Sequence, residues 1–173
     1  MRSIFVMPGE IWFGPGPGRI HTLLGSCLAV CVWHPRRKLG GLCHFLLPSS
    51  GYRRDHNPGQ ALNPRYGDEA LQAMLLFMHE ANTYPHDYQY KLFGAGSFIT
   101  TPKRPSPFVP QRLPVGEQNI LAARNWLQAL GVTALTEDLG GVESRRIVLD
   151  LSTGTVWVHY ARTNPQAPTM MNE

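Results

Sequence analysis

The sequence predicts an α+β fold, with helices packed on a mixed, largely antiparallel sheet, and three observations predict it. Two apolar runs of strand length, Cys27 to Trp33 and Leu42 to Leu47, flank a basic turn bounded by Pro and Gly. Two other segments repeat their apolar residues with the 3.6-residue period of a helix. Two further apolar runs near the end of the chain are joined by Ser152-Thr153-Gly154, a good hairpin turn. Adjacent strands mixed with amphipathic helices sort into a sheet with helices laid on it. At 173 residues, 43% of them hydrophobic, the chain has the size and apolar content of one domain. That domain is expected over 1–173, with its core at about 11–160.

The elements follow in order. The stretch from Ile11 to Gly18 reads IWFGPGPG, whose glycines and prolines predict an irregular approach with no regular element. The run Cys27 to Trp33 is expected to be a strand, His34 to Gly41 its turn, and Leu42 to Leu47 the neighbouring antiparallel strand. Both read as buried on two faces. Ser49 to Arg65 is polar and rich in Gly, Pro and Asn, which predicts a surface loop. Asp68 is placed to cap a helix reaching about Asn82, with Leu71, Met74, Leu75 and Met78 along its inner face. That stripe is read as core. Tyr90 to Gly94 reads as a short strand that ends in the turn Gly94-Ala95-Gly96-Ser97. Thr100 to Pro114 holds five prolines and is expected to be irregular. A second helix is expected from Glu117 to Leu130, with Ile120, Ala123, Leu127 and Leu130 inward and Gly131 as its cap. Val132 to Thr136, Arg145 to Leu151 and Thr155 to Tyr160 complete the strands, and the tail beyond Arg162 is expected to fray.

Composition narrows the function classes. The longest apolar runs are far below the ~20 residues of a membrane-spanning helix. The opening MRSIFVMPGEIW has no continuous apolar run of signal-peptide type, so a cytoplasmic protein is expected. The net charge of +4 meets one criterion for a nucleic-acid binder. The basic residues are nonetheless scattered as Arg36-Arg37-Lys38, Arg53-Arg54, Lys103-Arg104 and Arg145-Arg146, with no basic helix and no aromatic RNA-binding motif. A solvated basic surface, or a face for an acidic protein partner, fits them better than nucleic acid. Three cysteines, an odd number, argue against a disulfide framework.

The densest chemistry lies between His21 and His44, where Thr22, Ser26, Cys27, Cys31, His34, Cys43 and His44 fall. A cysteine nucleophile needs a base or cation to lower its thiol pKa, and backbone N–H groups near a developing oxyanion. Cys27 follows Gly25-Ser26 at the edge of the apolar run, where partial exposure is expected. His44 in the adjoining strand is the best-placed candidate imidazole. Both also admit a plain reading, as a small buried hydrophobe and a satisfied core histidine. Cys31 and Cys43 are expected to be buried hydrophobes, and His34, His56 and His86 to be exposed. Cys27, Cys31, Cys43 and His44 could together hold zinc, but no C-x2-C pair is present and strand alternation separates Cys43 from His44. No metal and no cofactor is expected. Gly94-Ala95-Gly96-Ser97 matches no phosphate-binding motif; it reads as a turn or as a close backbone approach to the site. Glu137-Asp138 reads as a strand-end loop without catalytic work.

The stretch LGSCLAVCVWHPRRKLGGLCHFLLP resembles the signature of the CheD family, the chemoreceptor glutamine deamidases of bacterial chemotaxis. KLFGAGSF, NILAARN, TEDLGG and the closing strand–STG–strand hairpin extend the resemblance from Ile11 to about Tyr160. It implies a three-layer sandwich and a Cys–His deamidase, similar in its site to the cytotoxic necrotising factor toxins. The substrates it implies are glutamines on the cytoplasmic helices of methyl-accepting chemoreceptors, and a CheC-type phosphatase is a further implied partner. Carried over by motif, Cys27 is the nucleophile and His44 the base. Some members carry a helper Thr six residues before the nucleophile. Here His21 holds that position and Thr22 follows it, so either Thr22 enters the site or the third role is filled differently. A plain hairpin centred on Arg37 would set His44 near Cys31 and hand that thiol the role. The family assignment requires the pairing to be offset, bulged, or not a plain hairpin. Two other readings use the same residues: a non-catalytic adaptor for receptors or a phosphatase, and a cysteine-dependent receptor methylesterase.

Overall fold

The computed structural model describes residues 1–51, 59–97 and 113–161. The expectations for His56, Arg53-Arg54, Lys103-Arg104, most of Thr100 to Pro114 and the tail beyond Arg162 lie outside the described residues. Nine strands and two α-helices are present among those described: β1 Ser3–Phe5, β2 Ile11–Pro15, β3 Arg19–Leu24, β4 Leu28–His34, β5 Leu39–Phe45, α1 Gly67–Glu80, β6 Gln89–Gly94, α2 Val115–Leu130, β7 Ala134–Leu139, β8 Arg145–Asp150 and β9 Val156–Tyr160. They stack as three layers. A four-stranded sheet, β1-β3-β8-β9, lies against a five-stranded sheet, β2-β5-β4-β6-β7, whose other face carries both helices. Both sheets are mixed, with parallel pairs only at β1/β3 and β6/β7.

Alternation along β4 and β5 divides the interior. Leu28, Val30, Val32, Cys43 and Phe45 face the helices, where they meet Leu71, Met74, Met78, Ala123 and Leu127. Ala29, Cys31 and Leu42 face the second sheet, against Ile20, Leu24, Ile147 and Leu149. Every residue of β4 and β5 is buried; the apolar runs predict this for Leu28 to Trp33 and Leu42 to Phe45.

Three expectations are corrected by these elements. IWFGPGPG does contain a strand: β2 lies at the edge of the five-stranded sheet, antiparallel to β5, with Pro15 at its end. An edge strand tolerates proline, because only one side of its backbone must pair. Gly40-Gly41, expected in the turn, lies within β5. A Cβ at Gly41 would collide with the Trp12 carbonyl, so this glycine lets β2 approach, while a Cβ at Gly40 would collide with the Val32 carbonyl of β4. The N-cap of α1 is Tyr66, not Asp68. The Asp68 carboxylate instead accepts from the Ser50 amide at 3.0 and 3.1 Å and from the Ser49 and Ser50 hydroxyls, tying the loop before the helix to its first turn.

At the C-terminal end of α2, Gly131 takes the left-handed conformation (φ 69°), the cap the sequence predicts. Glu137 and Asp138 belong to β7 and not to a loop. Arg145, grouped by sequence with the solvated pairs, is 2% exposed; it donates to the Asp138 carboxylate at 2.6 Å and to its carbonyl at 2.8 Å. Tyr160 also bonds Asp138, so this cluster staples β7 of one sheet to β8 and β9 of the other.

Candidate active site

Between Leu24 and Leu28 the chain leaves the four-stranded sheet and enters the five-stranded one. Gly25, Ser26 and Cys27 form that crossing. Each of their carbonyls is engaged: Gly25 accepts from the Gly96 amide at 2.9 Å, Cys27 from the Ala95 amide at 2.7 Å, and Ser26 from the Asn119 side chain at 3.3 Å. The Gly94-Ala95-Gly96 turn is therefore the close backbone approach that the sequence allowed. Gly94 (φ 105°) has no room for a Cβ against the Cys27 carbonyl, and Ala95 holds a left-handed φ of 56°, uncommon outside glycine.

The register answers the hairpin question. Pairing runs from His34↔Leu39 through Val30↔Cys43 to Leu28↔Phe45, around a four-residue turn in which Lys38 has φ 51°. His44 therefore opposes Ala29, only two residues from Cys27. Residues two apart on a strand share a face, and diagonal neighbours on paired strands lie about 7–8 Å apart, within reach of long side chains. Cys27 and His44 thus share the inter-sheet face. Cys31 shares it too, but is fully enclosed, and burial pushes its thiol far above the ordinary range. Cys43 points to the helices, where burial pushes its thiol up to about 12. Cys27 alone of the three is partly exposed.

Thr22 completes the group from the opposite sheet. On β3, Ile20, Thr22 and Leu24 point inward while His21 points out and stacks on Phe5. The Thr22 hydroxyl lies 2.8 Å from Nδ1 of His44 and donates to the Val6 carbonyl at 2.6 Å. A hydroxyl has one proton. With it committed to Val6, Oγ1 accepts from His44, so the proton of the neutral imidazole sits on Nδ1 and the lone pair on Nε2. Nε2 has no protein partner among the described residues.

Burial sets the charge states. His44 is 1% exposed, and desolvation lowers its pKa to about 4, so the ring is neutral at pH 7. Burial raises the Cys27 thiol above its ordinary value, and no cation among the described residues opposes the effect. The sequence expectation of a thiol acidified by a neighbour is thus corrected. The resting pair is thiol and neutral imidazole, a nucleophile that needs a base at the moment of attack.

His34, expected to be exposed, is buried with its ring edge-on to Tyr88 at 5.2 Å. Its place on β4 beside the helix layer outweighs the neighbouring Pro35. His86 is exposed, as expected. Cys43 faces away from Cys27, Cys31 and His44, and no group of three or more metal-ligating side chains occurs among the described residues. Sequence reasoning missed the roles of Val6 and Asn119. Asn119 could have been found: it lies four and eight residues before Ala123 and Leu127, on the stripe read as apolar.

No helix among the described residues is long and apolar enough to cross a membrane. Residues 46–160 match the family model for CheD chemotactic sensory transduction, a span that begins just past His44. The curated relatives extend over the site as well as the rest. A "Probable chemoreceptor glutamine deamidase CheD 3" of Dechloromonas aromatica is 35% identical over 92% of this chain and 88% of its own. Proteins named "Probable chemoreceptor glutamine deamidase CheD" from Pseudomonas syringae pv. tomato and Pseudomonas fluorescens are 38% and 39% identical over 91% of this chain. They cover 89% and 84% of those relatives. The family model and the near-complete span of these relatives agree, and the chain belongs to the CheD family.

Proposed function

We propose that this protein hydrolyses glutamine side chains of chemoreceptors to glutamate, with Cys27 as nucleophile and His44 as general base and acid. The observation that carries the reading is the chain from His44 Nδ1–H to the Thr22 hydroxyl to the Val6 carbonyl, which leaves Nε2 unprotonated on the face shared with Cys27. Nε2 takes the thiol proton as sulfur attacks the carboxamide carbon, so no ion pair need exist beforehand. The backbone N–H groups of Ser26 and Cys27 are the proposed oxyanion donors, supported by the anchoring of the three carbonyls around them. The imidazolium then gives its proton to the departing nitrogen. The C–N bond breaks, ammonia leaves, and a thioester remains. Water, deprotonated by the same Nε2, attacks the thioester; the C–S bond breaks and the thiol is restored. Thr22 is a positioning residue in this scheme, holding one tautomer throughout.

A chemoreceptor cytoplasmic fragment incubated with the protein tests this by peptide mapping and ammonia assay. Gln→Glu conversion lost in Cys27→Ala and kept in Cys31→Ala is the expected outcome. Conversion that survives Cys27→Ala, or receptor binding with no conversion, refutes the scheme. The same fragment carrying methyl esters separates amide from ester preference. Such substrates would place the protein in the cytoplasm. Binding of a CheC-type phosphatase, implied by the family resemblance, is a separate proposal that calorimetry with that partner checks.

A further inference from the structure

We infer that Asn119 is a positioning residue that holds the Cys27 turn and the His44 strand end at their working separation; the inference rests on the deamidase reading above. Asn119 lies on α2 in the helix layer, with no exposed surface. Its side-chain nitrogen donates to the Ser26 carbonyl at 3.3 Å and to the Leu46 carbonyl at 3.0 Å. Ser26 immediately precedes Cys27, and Leu46 follows His44 by two residues. The β4–β5 ladder ends at Leu28↔Phe45, so these two carbonyls lie just past its last pair. One side-chain amide thus joins the two strands where backbone pairing has stopped, and it does so beside both reacting groups.

The orientation of that amide follows from its partners. Two carbonyls require two donors, so the NH2 group faces them; turning the amide over would set oxygen against oxygen. Oδ1 has no protein partner among the described residues, a cost that packing alone would not incur. The other fully buried positions on this stripe, Gly116, Ala123 and Leu127, carry no polar side chain. The helix is also seated close to the site. A Cβ at Gly116 would lie 2.7 Å from the carbonyl oxygen of Ala95, and the Ala95 and Gly96 amides hold the Cys27 and Gly25 carbonyls. The first turns of α2 therefore press on the Gly94-Ala95-Gly96 turn, whose amides hold the nucleophile turn, and reach that turn directly through Asn119.

The experiment compares Asn119→Ala, the isosteric Asn119→Asp and Met74→Ala, which weakens the helix layer away from the site. The readouts are kcat and KM on a receptor fragment and the rate of Cys27 alkylation by iodoacetamide, all across pH. Misplacing reacting groups by about 1 Å costs roughly a hundredfold in rate, so Asn119→Ala should lower kcat by about ten- to a hundredfold with KM within about twofold. In Asn119→Asp the protonated carboxyl can donate to one carbonyl, whereas its ionised form repels both. Its kcat relative to wild type should therefore fall as pH rises, while the Asn119→Ala ratio stays flat. Unchanged kcat in Asn119→Ala, or an equal kcat loss in Met74→Ala at matched stability, overturns the inference. A wild-type protein without deamidase activity whose Cys27 alkylation still changes in Asn119→Ala sinks the deamidase reading and leaves the clamp standing.

Discussion

The two faces of the five-stranded sheet are built from the same strands, yet they carry different work. On the helix side, Leu28, Val30, Cys43 and Phe45 meet Leu71, Met74 and Met78 in a nearly unbroken apolar layer. On the inter-sheet side, the neighbouring residues Ala29, Cys31 and Leu42 are also apolar, but His44 and Thr22 are buried among them and Cys27 opens at the edge. Cys43 and His44 are adjacent in sequence and divided by one step of strand alternation. The comparison teaches that a buried polar pair is tolerated where every proton has an acceptor. The His44–Thr22–Val6 chain meets that condition at Nδ1 and leaves only Nε2 free, on the side toward the nucleophile.

The largest test of this contrast sets one thiol against another. Cys27→Ala should abolish deamidation, by at least roughly a thousandfold, without lowering the melting temperature. Cys31→Ala should keep kcat and cost about 1–2 kcal/mol of stability, read from urea unfolding. The reverse pattern would move the nucleophile to the sealed side of the crossing. Met74→Ala probes the helix face. It should cost about 2–5 kcal/mol of unfolding free energy, because a fully buried side chain is removed, and leave kcat unchanged in the folded protein.

Acid distinguishes the faces by about 3 kcal/mol. His44 binds its proton near pH 4 when folded and near 6.5 when unfolded, so as pH falls through that window the unfolded chain takes up the proton first. Stability contributed by the neutral ring is fully present above pH 6.5 and is lost toward pH 4. Urea melts at stepped pH should show that slope, and His44→Gln should flatten it. The smallest effect belongs to Thr22. Thr22→Val strands the Nδ1 proton and frees the ring to change tautomer, with a loss in kcat of about ten- to a hundredfold, as expected when a reacting group is held out of its working geometry. Thr22→Ser should recover most of it in steady-state assays.

Much of the fold was legible because hydrophobic period is a local signal. The β4–β5 pair, both helices, the Gly131 cap and the closing hairpin follow from runs and repeats within single segments. What escaped depended on partners distant in sequence. Trp12 and Phe13 pair with β5 because Gly41, with no Cβ, lets them approach. Glu137 and Asp138 look like loop residues until Arg124 and Arg145 are seen against them. At the site, Cys27 and His44 stand out by residue type and by family resemblance. Their pairing turned on where the turn centres: an unbroken, plain ladder about Arg36 and Arg37 sets His44 opposite Ala29, which composition does not encode. Resemblance favoured Thr22 over His21; the physical reason, that β3 faces inward at even positions, is visible only in the structure. Asn119 stands out in the sequence only as a polar residue on an apolar stripe; its role stayed hidden because its partners are backbone carbonyls, which no sequence pattern displays.

Nitrogen-15 NMR of the imidazole of His44, followed from pH 8 to pH 4, tests the central claim most directly. The account predicts a neutral ring with its proton on Nδ1 across neutral pH, titrating only near pH 4. An imidazolium at pH 7, or a neutral ring protonated on Nε2, would contradict it, since neither leaves a base to accept the proton of Cys27.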